Sequence, residues 1–246
     1  MTSRELFQAG KINETVQALN AELRDNPGDV KRRTFLFEVL CFAGEYERAE
    51  KQLEILGKEN AEADMGSLLY KAALHAERTR LDTFIKKEFP AQPADAELRG
   101  TLNGKAFSSI SDADPRVGAR VEAYAAGAYI WIPFKHIEAI EIQPPKRLRD
   151  LLWIPALVKT SMAFKQMELG EVLLPALTPG ASKHSNDLVR LGRETHYEEI
   201  EGGDVVPVGQ KMLLVDDDDE GIPFLEVRKL EFEIAAEEPK PEDGAA

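Results

Sequence analysis

A single cysteine in 246 residues excludes an internal disulfide framework and any zinc site built from several thiolates. That residue, Cys41, lies in FEVLCFAG among helix-core residues and reads as a small buried apolar side chain. Apolar runs are short, none approaching the roughly 20 residues a membrane span needs. The opening MTSRELFQAGKINE has no apolar stretch behind Arg4, so it does not read as a secretory leader, and a cytosolic protein is expected. Positive charge is also scarce. Lys and Arg number 31 against 44 Asp and Glu, a net charge of −13, which argues against a nucleic-acid backbone or an anionic membrane as partner. No glycine-rich phosphate loop follows a strand, no His-Glu-x-x-His is present, and there is no G-x-S-x-G elbow. Neither a cofactor nor a metal is expected, and no enzyme activity.

What the chain does have begins with a repeat. At an offset of about 34, the tetratricopeptide period, Leu6 aligns with Leu40, Ala9 with Ala43, Gly10 with Gly44, Ile12 with Tyr46 and Leu19 with Leu53. Gly10 and Gly44 fall in the turns between paired helices, and Asn26-Pro27 closes the first copy. In the second copy Leu36, Phe37, Leu40 and Ala43 line one helix and Tyr46, Ala49, Leu53 and Leu56 the other. Further stripes, Met65 to Ala76 and Leu81 to Phe89, read as a degenerate third pair, with Arg78 at the turn-glycine position. A short stack of this kind presents a concave face to a peptide or an amphipathic helix. Lys31, Thr34, Glu38 and Phe42 are the positions expected to face it; the alternative is that they are solvated helix positions.

Beyond a Pro-rich connection, PAQPADAE, the pattern turns to strands. Asn103-Gly104 within LRGTLNGKAF predicts a tight hairpin. Ser111 or Asp112 is expected to cap a helix buried through Val117, Val121 and Tyr124 or Ala125 and ended by Gly127. The stretch from Ala128 to Ala156 holds both tryptophans, Trp131 and Trp153, each followed by Ile-Pro, and reads as the buried centre of a partly β domain. Strands are expected at Ala128 to Pro133 and Ala139 to Ile142, and again within Met162 to Leu174.

Several polar groupings invite a chemical reading. Asp112, Asp114 and Asp150 suggest carboxylate chemistry, yet spacing alone cannot supply the split pKa values that acid–base work needs, and capping is the simpler role. An Arg149–Asp150 or Arg147–Asp150 pair is the structural expectation nearby. His136 has no second histidine at helical spacing. Ser182, His184, Ser185 and Asp187 sit in one polar loop without the scaffold a triad requires, and Ser185 with Asp187 reads as a helix cap. Asp216 to Glu220 lacks the alternating ligands of an EF-hand and reads as a solvated hairpin tip.

The combination of SDADPRVG, YIWIPFKHIEAIE, LRDLLWIPA, VRLGRET, GQKMLLVDD and FLEVRKLEF, from about Gly100 to Phe232, closely resembles the ImpE or SciE family, also called TagJ, of type VI secretion accessory proteins. The resemblance implies a tetratricopeptide-like N-terminal part, a bacterial cytoplasmic setting, and a non-enzymatic adaptor. Its implied partner is the small subunit of the type VI contractile sheath, held through an amphipathic helix, with a link to the AAA+ ATPase that disassembles used sheaths. The expected class is α+β: tetratricopeptide-like helical repeats over residues 1–92, a β-rich α+β domain over 98–235, and a disordered acidic tail over 236–246.

Overall fold

The computed structural model describes residues 1–91, 98–161, 169–216 and 218–233. The centre of the expected linker, the first half of the expected Met162 to Leu174 strands, and the acidic tail lie outside the described residues.

Five helices come first: α1 (Ser3–Gln8), α2 (Ile12–Asp25), α3 (Val30–Phe42), α4 (Tyr46–Leu56) and α5 (Ala61–Lys86). Three of the starts have a local side-chain cap. Thr2 and Glu5 form a reciprocal capping box on α1, the Asp29 carboxylate accepts from the Arg32 N–H at α3, and Asn60 accepts from the Ala63 N–H at α5. The two expected inter-helix glycines both adopt left-handed backbone, Gly10 at φ 76° and Gly44 at φ 73°, so the α1–α2 and α3–α4 hairpins turn in the same register. The third pair is absent. From Ala61 to Lys86 there is no glycine or proline able to break the helix after Gly66, and with Arg78 in place of a turn glycine the chain runs on as one helix.

The rest is antiparallel β structure. One sheet has eight strands in the order β2-β1-β13-β6-β7-β8-β4-β5, formed by β1 (Gly100–Leu102), β2 (Lys105–Phe107), β4 (Arg120–Ala125), β5 (Ala128–Pro133), β6 (Ile137–Ile142), β7 (Trp153–Thr160), β8 (Glu171–Pro175) and β13 (Lys229–Phe232). A second sheet joins β3 (Ile110–Asp112), β11 (Met212–Val215) and β12 (Asp218–Pro223); β9 (Thr195–Glu199) pairs with β10 (Val205–Gly209). A four-residue helix, α6 (Asp187–Arg190), lies in the loop before β9. The expected hairpin at Asn103-Gly104 forms, with both residues left-handed.

The helix expected between Asp112 and Gly127 does not form. Val117, Val121 and Tyr124 satisfy a helical spacing, but Arg120–Ala125 is a strand with every residue but the last buried. Val121 and Ala123 enter the inter-sheet core, while Glu122 and Tyr124 point to the helices. The segment alternates Arg120, Glu122 and Tyr124 with Val121, Ala123 and Ala125, the period of a strand, and the helical spacing of Val117, Val121 and Tyr124 is incidental to it.

Two cores result. One packs between the sheets around Ile132, Phe134, Ile140 and Ile154. The other unites the helices with the opposite face of the large sheet, where Trp153, Leu152, Tyr124 and Leu173 meet Phe37, Leu40, Tyr70 and Leu74. The neighbours Trp153 and Ile154 therefore serve different cores, as strand alternation requires. Trp131 is only half-buried; it stacks on Phe84 of α5 at 5.8 Å, under the Arg120 guanidinium at 4.6 Å.

Candidate protein-binding site

The helices are locked onto the β structure by the loop from Ala181 to Arg193. The Asp187 carboxylate accepts from the Ile12 N–H at 2.8 Å, capping α2 from 175 residues away. Arg193 donates to the carbonyls of Gln8 and Phe7 at 2.9 and 3.0 Å, closing the C-terminal end of α1. The same loop touches both inter-helix turns: a Cβ on Gly10 would stand 2.9 Å from Leu188, and one on Gly44 would stand 2.7 Å from the Ser182 hydroxyl.

This lock bounds a cleft of about 990 Å³ between α1, the first half of α3 and the 3-10 turn Leu148–Leu151. Phe7, Phe35 and Leu148 supply apolar walls, with the Phe7 and Phe35 rings edge to face at 5.4 Å. Lys31, Thr34 and Glu38 line it. Lys31 is exposed, and the Thr34 hydroxyl donates to the Val30 carbonyl at 2.9 Å. Glu38 is mostly buried and pairs with Arg149 at 2.7 Å; burial pushes its carboxyl above the usual range, against the pull of Arg149. Phe42 does not reach the cleft. It is 1% exposed, because the second half of α3 turns inward beneath the β structure, and its ring backs Phe7 at 6.4 Å.

Arg4, Phe7, Phe35, Leu148 and Arg193 also line the cleft and were not singled out by sequence. Phe35 carried a weak signal, an aromatic outside the apolar stripe of α3; Leu148 and Arg193 carried none, since only the fold brings them to α1.

The carboxylates that suggested catalysis are each engaged elsewhere. Asp114 binds its neighbour Arg116 at 2.6 Å. Asp150 accepts from the Lys146 and Arg147 N–H groups at 2.9 Å, holding a turn in place of the expected pairing with Arg147 or Arg149. Asp112 binds the ammonium of Lys211 at 2.7 Å inside a buried cluster in which Lys211 also meets Glu122 at 2.6 Å and Arg80 holds Glu122 through two bonds of 2.7 and 2.9 Å. Glu77 accepts from the Tyr124 hydroxyl and, at 3.1 Å, from Trp153 Nε1. Burial pushes the Asp112 carboxyl up against the pull of Lys211, whereas Glu122, though equally desolvated, is held well below its ordinary range by Arg80 and Lys211. This cluster ties α5 to β3, β4 and the entry to β11 rather than opening to a substrate.

The loop ingredients also diverge. Ser182 stands against Gly44, Asp187 caps α2, and Nδ1 of His184 accepts from the Asn186 N–H, which directs its Nε2 proton toward Glu198 at 3.4 Å. Asp216 accepts from the Ser108 and Ser109 N–H groups at 2.7 and 3.0 Å and so organises the β11–β12 turn; those donors hold its carboxyl below the usual range. Asp217 and the side chains of Asp218 and Asp219 lie outside the described residues. Among the described residues no group of three or more His, Cys, Asp or Glu is placed to hold a metal ion, and no helix is long and apolar enough to cross a membrane.

Residues 104–231 match the ImpE protein family. The chain belongs to that family. A curated relative, the type VI secretion system accessory component TagJ of Pseudomonas aeruginosa, is 28% identical over 267 aligned positions that cover 95% of this chain and 92% of the relative. The fold is shared with a crystal structure of protein VPA1032 from Vibrio parahaemolyticus, at a TM-score of 0.82 and 20% identity, covering 95% of this chain and 98% of that one. The ImpE match spans the β structure from the Asn103-Gly104 hairpin to β13 and includes Leu148 and Arg193, the cleft residues contributed from outside the helices.

Proposed function

We propose that this ImpE-family chain is a non-enzymatic adaptor of a type VI secretion system, and that the cleft between α1, α3 and Leu148 receives an amphipathic helix of the sheath small subunit. In this reading the helical part is a tetratricopeptide-like stack, bound helix and stack meet in the cytoplasm, and the complex connects the sheath to its AAA+ ATPase. One observation carries the reading: the groove positions Lys31, Thr34 and Glu38 converge on a cleft of about 990 Å³ that also presents Phe7, Phe35 and Leu148. A helix rising about 1.5 Å per residue covers about 11 Å in two turns. Two turns present three or four apolar positions at i, i+3, i+4 and i+7, a usual anchor set for helix-in-groove recognition.

The test is fluorescence anisotropy with a labelled peptide of the sheath subunit's N-terminal helix. Thr34→Glu places a charged carboxylate on the cleft wall and is expected to weaken binding at least about tenfold, roughly 1.4 kcal/mol. Equal affinity for the native chain and Thr34→Glu removes the cleft from the site. No binding by the folded native chain removes the sheath helix as its ligand.

A further inference from the structure

The first half of α5 turns an apolar face to solvent. Met65, Leu68 and Leu69 are 74%, 59% and 52% exposed, and their spacing places them on one side of the helix. The opposite side, Ser67, Tyr70 and Leu74, is buried in the helical core. One turn further on the β structure arrives: the β4–β5 turn lies over Ala72, whose Cβ would be 3.3 Å from a Cβ on Gly127. Met65 to Leu69 therefore lies at the open end of the helix stack, past the edge of the sheet. A stack that ends in water carries a polar outer face on its last helix. This one ends on methionine and leucine.

We propose that this face joins two copies of the chain, with the two α5 helices antiparallel across a two-fold axis close to Leu68. A two-fold interface must be complementary to itself, and the charges beside the stripe are. Asp64 and Lys71 lie on one flank of α5, two helical turns apart and on either side of Leu68. Antiparallel pairing places like flanks together, so Asp64 of each copy meets Lys71 of the other. Among the described residues neither forms an ion pair within its own chain. The arrangement also answers the general repulsion between two chains of net charge −13, since the contact is made where opposite charges alternate. A foreign partner would require no such internal symmetry. The exposed apolar area is a few hundred Å² per copy, below the roughly 800 Å² per partner of a standard interface, so the dimer is a weak one in the micromolar range.

Sedimentation equilibrium of the full chain from about 5 to 300 µM reads the association directly. The weight-average mass is expected to rise toward that of a dimer across the range, and Leu68→Glu, a change at an exposed position, to weaken association at least tenfold. Asp64→Lys and Lys71→Asp each weaken it several-fold, and the double variant restores it. A native chain that stays monomeric throughout, or Leu68→Glu associating as the native chain does, overturns the proposal. So does a double variant as weak as either single one, and so does a foreign protein binding this face while the chain itself remains monomeric.

Discussion

Replacing Lys211 by Met takes one of two cations out of a buried cluster that also contains the carboxylates of Asp112, Glu122 and Glu77, while conserving the length and apolar stem of the side chain. Glu122 keeps both bonds from Arg80 and the Tyr129 hydroxyl at 2.5 Å. Among the described residues, Asp112 keeps only the Asp114 N–H, at 2.9 Å. A carboxyl stranded in this way takes up a proton rather than remain charged. From an unfolded-state pKa near 3.9, that uptake costs about 1.4 kcal/mol per pH unit, hence about 4 kcal/mol at pH 7 and about 1.5 kcal/mol at pH 5. The larger figure falls within the roughly 3–5 kcal/mol seen when one member of a buried pair is removed. Asp112 in the variant has a folded-state pKa above its unfolded one. The penalty is therefore greatest at high pH and fades as pH falls toward about 3.9. Urea unfolding of the native chain, Lys211→Met, and Lys211→Met with Asp112→Asn, at pH 7 and pH 5, measures all three terms. The single variant is expected to lose about 3–4 kcal/mol at pH 7 and about half that at pH 5, and the double variant to recover about 2 kcal/mol or more at pH 7. A single-variant loss below about 1 kcal/mol at pH 7, or a greater loss at pH 5 than at pH 7, refutes the ionised, paired role of Lys211.

Two further substitutions probe the lock between helices and loop. Gly44→Ala forces a Cβ into left-handed backbone at φ 73° and to 2.7 Å from the Ser182 hydroxyl; a loss of about 1–2 kcal/mol in thermal or urea unfolding is expected, and a stability equal to the native chain's counts against the turn geometry. Asp187→Ala removes the acceptor on the Ile12 N–H and should cost about 1 kcal/mol, with faster hydrogen exchange confined first to the opening turn of α2. Unaltered exchange there would mean that the remote cap is not formed in solution.

Much of the helical architecture was legible because its causes are local. Gly10 and Gly44 mark turns that need left-handed backbone, and Asn103-Gly104 makes its own hairpin. Misreadings arose where tertiary burial replaces local pattern. In β4 the alternation of Arg120, Glu122 and Tyr124 with Val121, Ala123 and Ala125 is that of a strand, but Arg120 and Glu122 are charged yet buried; Glu122 is tolerated because Arg80 and Lys211, distant in sequence, neutralise it. The candidate cleft was half legible for the same reason. Lys31, Thr34 and Glu38 follow from helix geometry, but whether Phe42 faces a ligand or the interior depends on what covers the end of α3, and that cover comes from residues more than a hundred positions later.

The alternation at Trp153 and Ile154 has a consequence for how the chain can come apart. One strand, β7, supplies side chains to both hydrophobic interiors, so a slip of one residue would exchange their contents and spoil the two together. Composition divides the chain near residue 90, yet the energy does not divide there. A fragment of helices alone would leave an indole-sized void at its centre, and the β structure alone would expose the indole to water. The molecule should therefore melt in a single cooperative step, and recombining halves between relatives should succeed only when the strand carrying Trp153 travels with the helices it fills.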